Sequence, residues 1–412
     1  MSDFSFLDRA QRAIAECRRI ATMTEEQGRI TRRFLTPPMR DVHKLLQDRL
    51  QALGIAASLD AIGNLRGLHL PPNAHGKRLI LGSHIDTVPD AGAFDGILGV
   101  AIGLELIDLA QQRNLPLAIE LIAFSDEEGV RYAPFLGSRA VAGRFDSASM
   151  LAVKDQEGMT MEKAIRDFGL DPDRIAEAAI GDDVAAYFEI HIEQGPILEA
   201  EGLSVAAVSS IAGQSRLAVE FSGHANHAGT TPMQLRRDAL AGAAEWISAV
   251  EAMALATDDL VATVGFLDLK PNVSNVIPGT VKLQFEVRHA IDSVRTESAQ
   301  ALVEHAKAIA GRRSLVFEID RRMDLPAVPM DEQLTAFLVQ AIESLGLPPR
   351  QMPSGAGHDA MVMAGRVPAA MLFLRSPAGI SHHPDESVRE EDVENALRVA
   401  AKFVDRFAAT VR

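Results

Sequence analysis

Lys77-Arg78-Leu79-Ile80-Leu81-Gly82-Ser83 is a short apolar run with a charged entry, and it leads straight into His84-Ile85-Asp86-Thr87. A run of this length and composition predicts a buried strand over 77–83 with an imidazole and a carboxylate at its exit. Working outward, Ile97 to Gln112 predicts an apolar helix, Ala118 to Phe124 (AIELIAF) a second strand, and Tyr187 to Ile192 (YFEIHI) a third. Strands alternating with helices imply an open α/β sheet covered on both faces, with ligands gathered beyond the carboxyl ends of the strands. His84, Glu127, Glu128 and His191 all fall near such ends.

A different rhythm begins near Gln214. Arg216 to Phe221 alternates as a strand, and Thr231 to Met253 reads as a long helix with threonine as cap and Pro232 in its first turn. Two strands follow, Val261 to Asp268 and Thr280 to Arg288, then a helix from Thr296 to Arg312 and a strand from Ser314 to Asp320. The order β-α-β-β-α-β is that of a ferredoxin-like sandwich. After it, a helix (Asp331 to Leu345), a strand (Ala370 to Arg375) and a helix (Val388 to Val411) return to the first pattern. The expected architecture is therefore an α/β, mixed-sheet domain of discontinuous sequence, residues 1–212 and 329–412, interrupted by an α+β domain over 213–328.

Composition narrows the function. The chain has 412 residues, 47% of them hydrophobic, enough for a large core and for two domains. No apolar run approaches the roughly 20 residues that span a bilayer, and Met1 to Arg19 is amphipathic and mixed in charge, unlike a signal peptide. The expectation is a cytoplasmic protein with no membrane partner. Cys17 stands alone in a helical stretch, which excludes an intramolecular disulfide and suits buried packing. A net charge of -15 argues against nucleic acid and is compatible with cations.

The polar residues at the strand ends carry the chemistry. His84 and Asp86, two apart in extended geometry, lean to one face, so that Asp86 can accept the His84 N–H and fix its tautomer. Phe94-Asp95-Gly96 and Ser125-Asp126-Glu127-Glu128-Gly129 add carboxylates that repel one another unless a cation or proton compensates them. One of Glu127 and Glu128 can bind metal while the other moves a proton. Alternation places Glu189, His191 and Glu193 on one strand face, an odd polar stripe for a buried sheet unless it lines a site. Ser354-Gly355-Ala356-Gly357-His358-Asp359 is a glycine-rich turn whose backbone N–H groups can meet an oxyanion or carboxylate, and Gly379-Ile380-Ser381-His382-His383-Pro384-Asp385-Glu386 supplies two histidines after a strand.

In this order GSHxDT, FDG, DEEG, EIHIEQGP, GxxNHAGTTPM, SGAGHDA and GISHxPxE resemble the M20 family of binuclear metallohydrolases. More narrowly they resemble its amidase branch, which holds allantoate amidohydrolase, N-carbamoyl-L-amino-acid hydrolase, β-ureidopropionase and ureidoglycolate amidohydrolase. The resemblance implies a zinc-peptidase-like catalytic domain and an inserted lid domain that forms a homodimer. It implies two divalent ions per subunit, zinc or manganese with cobalt or nickel as alternatives. His84, Asp95 and His191 would hold one ion and Asp95, Glu128 and His382 the other, with His383 at the family's variable position. Glu127 becomes the general base. His191 within HIEQGP favours the amidase branch, since peptidase members usually place a carboxylate there.

The resemblance also assigns His227 to the tetrahedral intermediate, and in the family this histidine often comes from the partner subunit. Gln214, Asn275 and Arg288 match substrate-holding positions, and the planar fork of Arg288 suits a carboxylate. The implied reaction is metal-assisted cleavage of a ureido C–N bond in a small anionic substrate. Allantoate comes first, an N-carbamoyl-L-amino acid second, then the other ureido acids, a peptidase or aminoacylase, and last a catalytically silent binding protein.

Overall fold

The computed structural model describes residues 5–411. Of the amphipathic Met1 to Arg19 segment, residues 1–4 lie outside the described residues and the rest opens the helix Phe6–Ala21. In chain order the strands are β1 (Ala57–Leu59), β2 (Leu65–His69), β3 (Arg78–His84), β4 (Ile119–Phe124), β5 (Val184–Ile192), β6 (Val205–Ile211), β7 (Gly213–Ser222), β8 (Val261–Lys270), β9 (Thr280–His289), β10 (Val316–Leu325), β11 (Val328–Pro329), β12 (Gln351–Ser354) and β13 (Ala369–Leu374). The chain forms two compact units, one of Met1–Ser209, Met330–Met352 and Ala356–Arg412, the other of Ser210–Pro329 with Pro353–Gly355.

The first unit is built on a mixed sheet whose order runs β1-β2-β4-β3-β5-β13-β6. β3 lies parallel between β4 and β5, and β13 runs parallel to β5, while β2 and β6 pair antiparallel at the flanks. Every residue of β4 and of β13 is buried, as central strands covered on both faces require. The helix Ile97–Gln112 occupies the residues that periodicity predicts and is apolar nearly all round, because it is buried under the helices Phe6–Ala21 and Glu390–Thr410. Its one buried carboxylate, Glu105, is held by Arg9 at 3.1 Å and by Arg12. The predicted strands at 77–83 and 187–192 extend to His84 and back to Val184. β1, β2, β6 and the helix Pro37–Ala52 were not anticipated, since their short or mixed runs lack a clean period.

The second unit follows β7, helix, β8, β9, helix, β10, and its four strands pair antiparallel in the order β10-β7-β9-β8. Odd-numbered residues of β7 and β9 are buried, and even-numbered ones form an open face. Trp246 is fully buried among them and donates Nε1–H to the Leu302 carbonyl at 2.9 Å. The first helix is Ala239–Ala256, eight residues later than Thr231. Thr231 instead donates its hydroxyl to the His227 carbonyl at 2.9 Å, and Asp238, a better cap than threonine, accepts the Ala241 N–H at 3.0 Å. The second helix is Asp292–Arg313; Ser314 caps it at φ 53°, so the last strand starts at Val316 rather than Ser314. Ala239–Ala256 is also, by length and composition, the one helix among the described residues apolar enough to cross a membrane. That corrects only the reading that no apolar run approaches a bilayer span; in this unit its Ala239, Gly242, Ala243, Trp246 and Val250 are buried.

Candidate metal centre

Because β3, β4 and β5 are parallel, their carboxyl ends open on one edge of the sheet. His84 ends β3, His191 lies one residue from the end of β5, and β4 runs into Ser125-Asp126-Glu127-Glu128. Asp95 arrives on the loop before the helix Ile97–Gln112. Gly96 follows it at φ 68°, and a Cβ there would stand 2.5 Å from the His84 ring, so only glycine lets loop and imidazole meet. His382 comes from the loop after β13 and itself adopts φ 56°, a conformation that costs a histidine energy and that its surroundings must hold in place.

These side chains form three sets whose ligand atoms all lie within 4.8 Å of one another: His84, Asp95 and His191; His84, Glu127 and Glu128; Asp95, Glu128 and His382. Asp95 is shared. Its Oδ1 faces His191 Nε2 at 3.2 Å and His84 Nε2 at 3.8 Å, whereas its Oδ2 faces His382 Nε2 at 3.1 Å. Glu128 Oε1 lies 3.4 Å from the same His382 nitrogen. His383 points elsewhere, accepting the Asp385 N–H on Nδ1 at 3.2 Å.

The donor set fits a cation. His84 Nδ1 lies 3.1 Å from the Asp86 carbonyl and His191 Nδ1 lies 2.9 Å from the Ile192 carbonyl. A carbonyl only accepts, so both Nδ1 atoms carry hydrogen and, in the neutral rings, both Nε2 atoms offer lone pairs to a cation. Those two Nε2 atoms stand 3.3 Å apart, an arrangement that repels unless a metal ion or a proton sits between them. The electrostatics agree. Burial alone would lower the His84 pKa, but Asp86, Glu127 and Asp95 hold it well above the ordinary imidazole value. Burial would raise Asp95, yet the imidazoles of His191 and His382 beside it keep it well below the carboxylate range. Asp95 and Glu128 push His382 up to about 10.

Glu127 is different in kind. Burial, reinforced by Glu128, Asp359 and Asp86 against the pull of His84, raises its carboxyl well above the ordinary value. Its backbone is fixed by Asp86, whose Oδ1 accepts the Glu127 N–H at 2.9 Å and whose Oδ2 accepts the Glu128 N–H at 3.2 Å. This modifies the expected role of Asp86. Its carboxylate lies 3.4 Å from His84 Nδ1, farther than its own carbonyl, and chiefly clamps the acidic turn.

The stripe on β5 also divides. Glu189 accepts from Tyr187 Oη at 3.0 Å and from the Ala360 N–H at 2.8 Å, and Glu193 caps Ile197–Ala200 through N–H bonds at 2.7 and 2.9 Å. Only His191 of the three joins a metal-type set. Two further residues were quoted within motifs but given no role. Gln194 donates Nε2–H to Asp95 Oδ2 at 3.1 Å. Glu386 accepts the Phe94 and Asp95 N–H groups at 2.9 and 3.0 Å and the Ser381 hydroxyl at 3.1 Å.

In the second unit His227 is exposed on a loop joined by an isolated bridge to Val276. Its Nδ1 accepts the Gly229 N–H at 3.0 Å, so in the neutral ring Nε2 carries the hydrogen and can donate. The Asn275 carbonyl accepts the Ala228 N–H at 2.9 Å and ties that residue to the same loop. Gln214 and Arg288 stand opposite each other on β7 and β9. Arg288 donates to Glu286 and to the Gly355 carbonyl. Gly355 thus spends its carbonyl within the second unit. Ala356 and Gly357 belong to the first, where Gly357 faces the Phe135 ring, which a Cβ would meet at 2.8 Å. The helix entered from this turn, Asp359–Met363, is short.

The profile of peptidase family M20/M25/M40 matches residues 80–406. The chain is 37% identical to the N-carbamoyl-L-amino acid amidohydrolase of Geobacillus stearothermophilus, over 89% of this chain and 91% of that one. It is 35% identical to the allantoate deiminase of Arabidopsis thaliana, over 95% and 81% respectively. A solved structure of a hydantoinase/carbamoylase family amidase from Burkholderia multivorans superposes with a TM-score of 0.92 at 31% identity, covering 98% of each chain.

Proposed function

This chain belongs to peptidase family M20/M25/M40 as a hydrolase acting on carbon–nitrogen bonds, and we propose that it cleaves the ureido C–N bond of a small carboxylate substrate. Allantoate, cleaved to ureidoglycine, CO₂ and ammonia, is the first choice and an N-carbamoyl-L-amino acid the second. The relatives named for these two activities match at nearly equal identity. The observation that carries the reading is the sharing of Asp95 between two histidine-carboxylate sets, with a buried, protonatable Glu127 beside them.

His84, Asp95 and His191 would hold one divalent ion and Asp95, Glu128 and His382 a second. Zinc or manganese suits this mixed nitrogen and oxygen set, with cobalt or nickel as alternatives. Such ions supply Lewis acidity toward the carbamoyl oxygen and toward water. Glu127, held at its backbone by Asp86, takes a proton from the attacking water and returns it to the leaving nitrogen. His227, whose Nδ1 accepts the Gly229 N–H, donates from Nε2 to the oxyanion. Arg288 takes the substrate carboxylate, and Gln214, Asn275 and the 355–357 turn complete the grip. A homodimer through the second unit belongs to the same proposal. It is supported by exposed Val261, Phe266 and Leu267 on the edge strand β8.

The test is a panel. Metal-reconstituted protein is assayed for ammonia from allantoate, N-carbamoyl-L-amino acids, ureidoglycolate and β-ureidopropionate, with N-acetyl amino acids and dipeptides as rivals, at concentrations where sedimentation defines the oligomer. Preference for any ureido acid is expected. Preference for a dipeptide or N-acetyl amino acid overturns the reading, and an active monomer removes the dimer from it.

A further inference from the structure

Alternation along adjacent antiparallel strands puts four polar residues on the open face of the small sheet: Gln214 and Arg216 on β7, Glu286 and Arg288 on β9. The register sets Gln214 opposite Arg288 and Arg216 opposite Glu286. Three of the four converge on the fourth. Glu286 Oε1 accepts Arg288 Nε, and Oε2 accepts Arg216 Nη2 at 2.6 Å, Arg216 Nε at 3.0 Å and Gln214 Nε2. Burial would raise the Glu286 pKa, yet its hydrogen bonds from Arg288 and Arg216 hold it below the ordinary carboxylate value. It is an ionised, accept-only group pinned on both oxygens.

That fixes the polarity of its partners. An amide facing an ionised carboxylate must turn its nitrogen toward it, so Gln214 directs Oε1 away, as an acceptor. Arg288 gives Nε to Glu286 and one Nη1 hydrogen to the Gly355 carbonyl, which leaves Nη2 and the second Nη1 hydrogen for a second carboxylate. We propose that Glu286 is a positioning residue for substrate recognition, presenting the remaining Nη hydrogens of Arg288 to the substrate carboxylate and the Oε1 of Gln214 to a ureido N–H. The inference rests on the reading of Gln214 and Arg288 as substrate-holding groups and deepens it. An acceptor at Gln214 favours a terminal ureido NH₂ over the methyl of an N-acetyl analogue, which would leave Oε1 without a partner.

The experiment compares Glu286→Gln, Glu286→Asp and Arg288→Met with the unaltered metal-loaded enzyme on allantoate and on one matched pair, an N-carbamoyl- and an N-acetyl-L-amino acid with the same side chain. In Glu286→Gln the new amide can donate to Gln214 and free it to turn. KM for ureido substrates should rise about ten- to hundredfold, the range of a lost charge-assisted hydrogen bond, with kcat little changed. The preference for carbamoyl over acetyl should fall with it. Glu286→Asp keeps the charge and should regain part of both, which a merely structural role would not produce. A raised KM in Arg288→Met together with unaltered KM and substrate preference in Glu286→Gln overturns the inference alone. An unaltered KM in Arg288→Met overturns the underlying reading and the inference with it. Should Glu286→Gln fail to fold, a Glu286→Asp enzyme with unaltered KM and preference overturns the inference as well.

Discussion

Two polar clusters occupy opposite kinds of sheet. One sits at the carboxyl ends of buried parallel strands, where His84, Asp95, Glu127, Glu128, His191 and His382 crowd together with an excess of acid and with two imidazole Nε2 atoms facing each other. The other lies on the open face of an antiparallel sheet, where Arg216, Arg288 and Gln214 are balanced by Glu286. The first is incomplete as protein alone and demands positive charge from outside. The second is already satisfied internally, and its spare donors and acceptor are fixed in direction before any ligand arrives. Burial suits the chemistry, because in low dielectric a shared carboxylate and a raised Glu127 are worth most. Partial exposure suits the recognition proposed for it, because a substrate would have to reach these groups.

The sharpest test of the division is Glu127→Gln. The substitution keeps size and removes the proton carrier, so turnover should fall about 10²- to 10⁴-fold, while metal stoichiometry by calorimetry and substrate KM stay near those of the unaltered enzyme. Full activity would remove Glu127 from the mechanism and leave the first cluster a binding site only.

A smaller loss is expected on the metal side of the same cluster from Glu386→Ala. Glu386 clamps the backbone of Phe94 and Asp95 and also takes the Ser381 hydroxyl, one residue before His382. Gly92 exists to admit it, since a Cβ there would lie 2.3 Å from the Glu386 side chain. Releasing that clamp should weaken metal binding about 10- to 100-fold, the range for supporting partners of ligands. Titration of the metal-free variant checks this, and unaltered affinity would show that the Asp95 loop holds itself.

A third effect is on stability, and it separates burial of a neutral ring from burial in the candidate metal centre. His43 is buried edge-on against Phe168, and burial pushes its pKa down to about 4, against 6.5 for the free side chain. Between those values the unfolded chain binds more protons than the folded one. Stability is therefore whole above about pH 6.5 and is lost as pH falls toward 4, by about 3 kcal/mol in all. His43→Leu should flatten that window in urea unfolding followed from pH 7 to 4. An unchanged slope would assign the acid sensitivity to other groups.

Much of the first cluster was legible because its residues lie within a few positions of strand ends that the apolar runs announce. His84 and the helix Ile97–Gln112 needed only periodicity. The supporting residues were not legible for a geometric reason. Glu386 meets Phe94 across 292 positions of sequence, and Gln214 meets Glu286 across 72. No local pattern records such approaches. The helix placed at Thr231 failed for a related reason: the His227 loop takes the Thr231 hydroxyl for itself, and a nearby aspartate caps better.

The sequence by itself determined which side chains are available for chemistry and the order of the elements that carry them, because hydrophobic period and motif spacing are local properties of the chain. Tertiary structure alone decided how those side chains are used. It made Asp95 common to two sets, turned the Asp86 carboxylate onto the acidic turn, and gave Gln214 and Arg288 their direction through Glu286. Each of these depends on strands and loops far apart in sequence meeting at hydrogen-bond distance, and only the packed core fixes that distance.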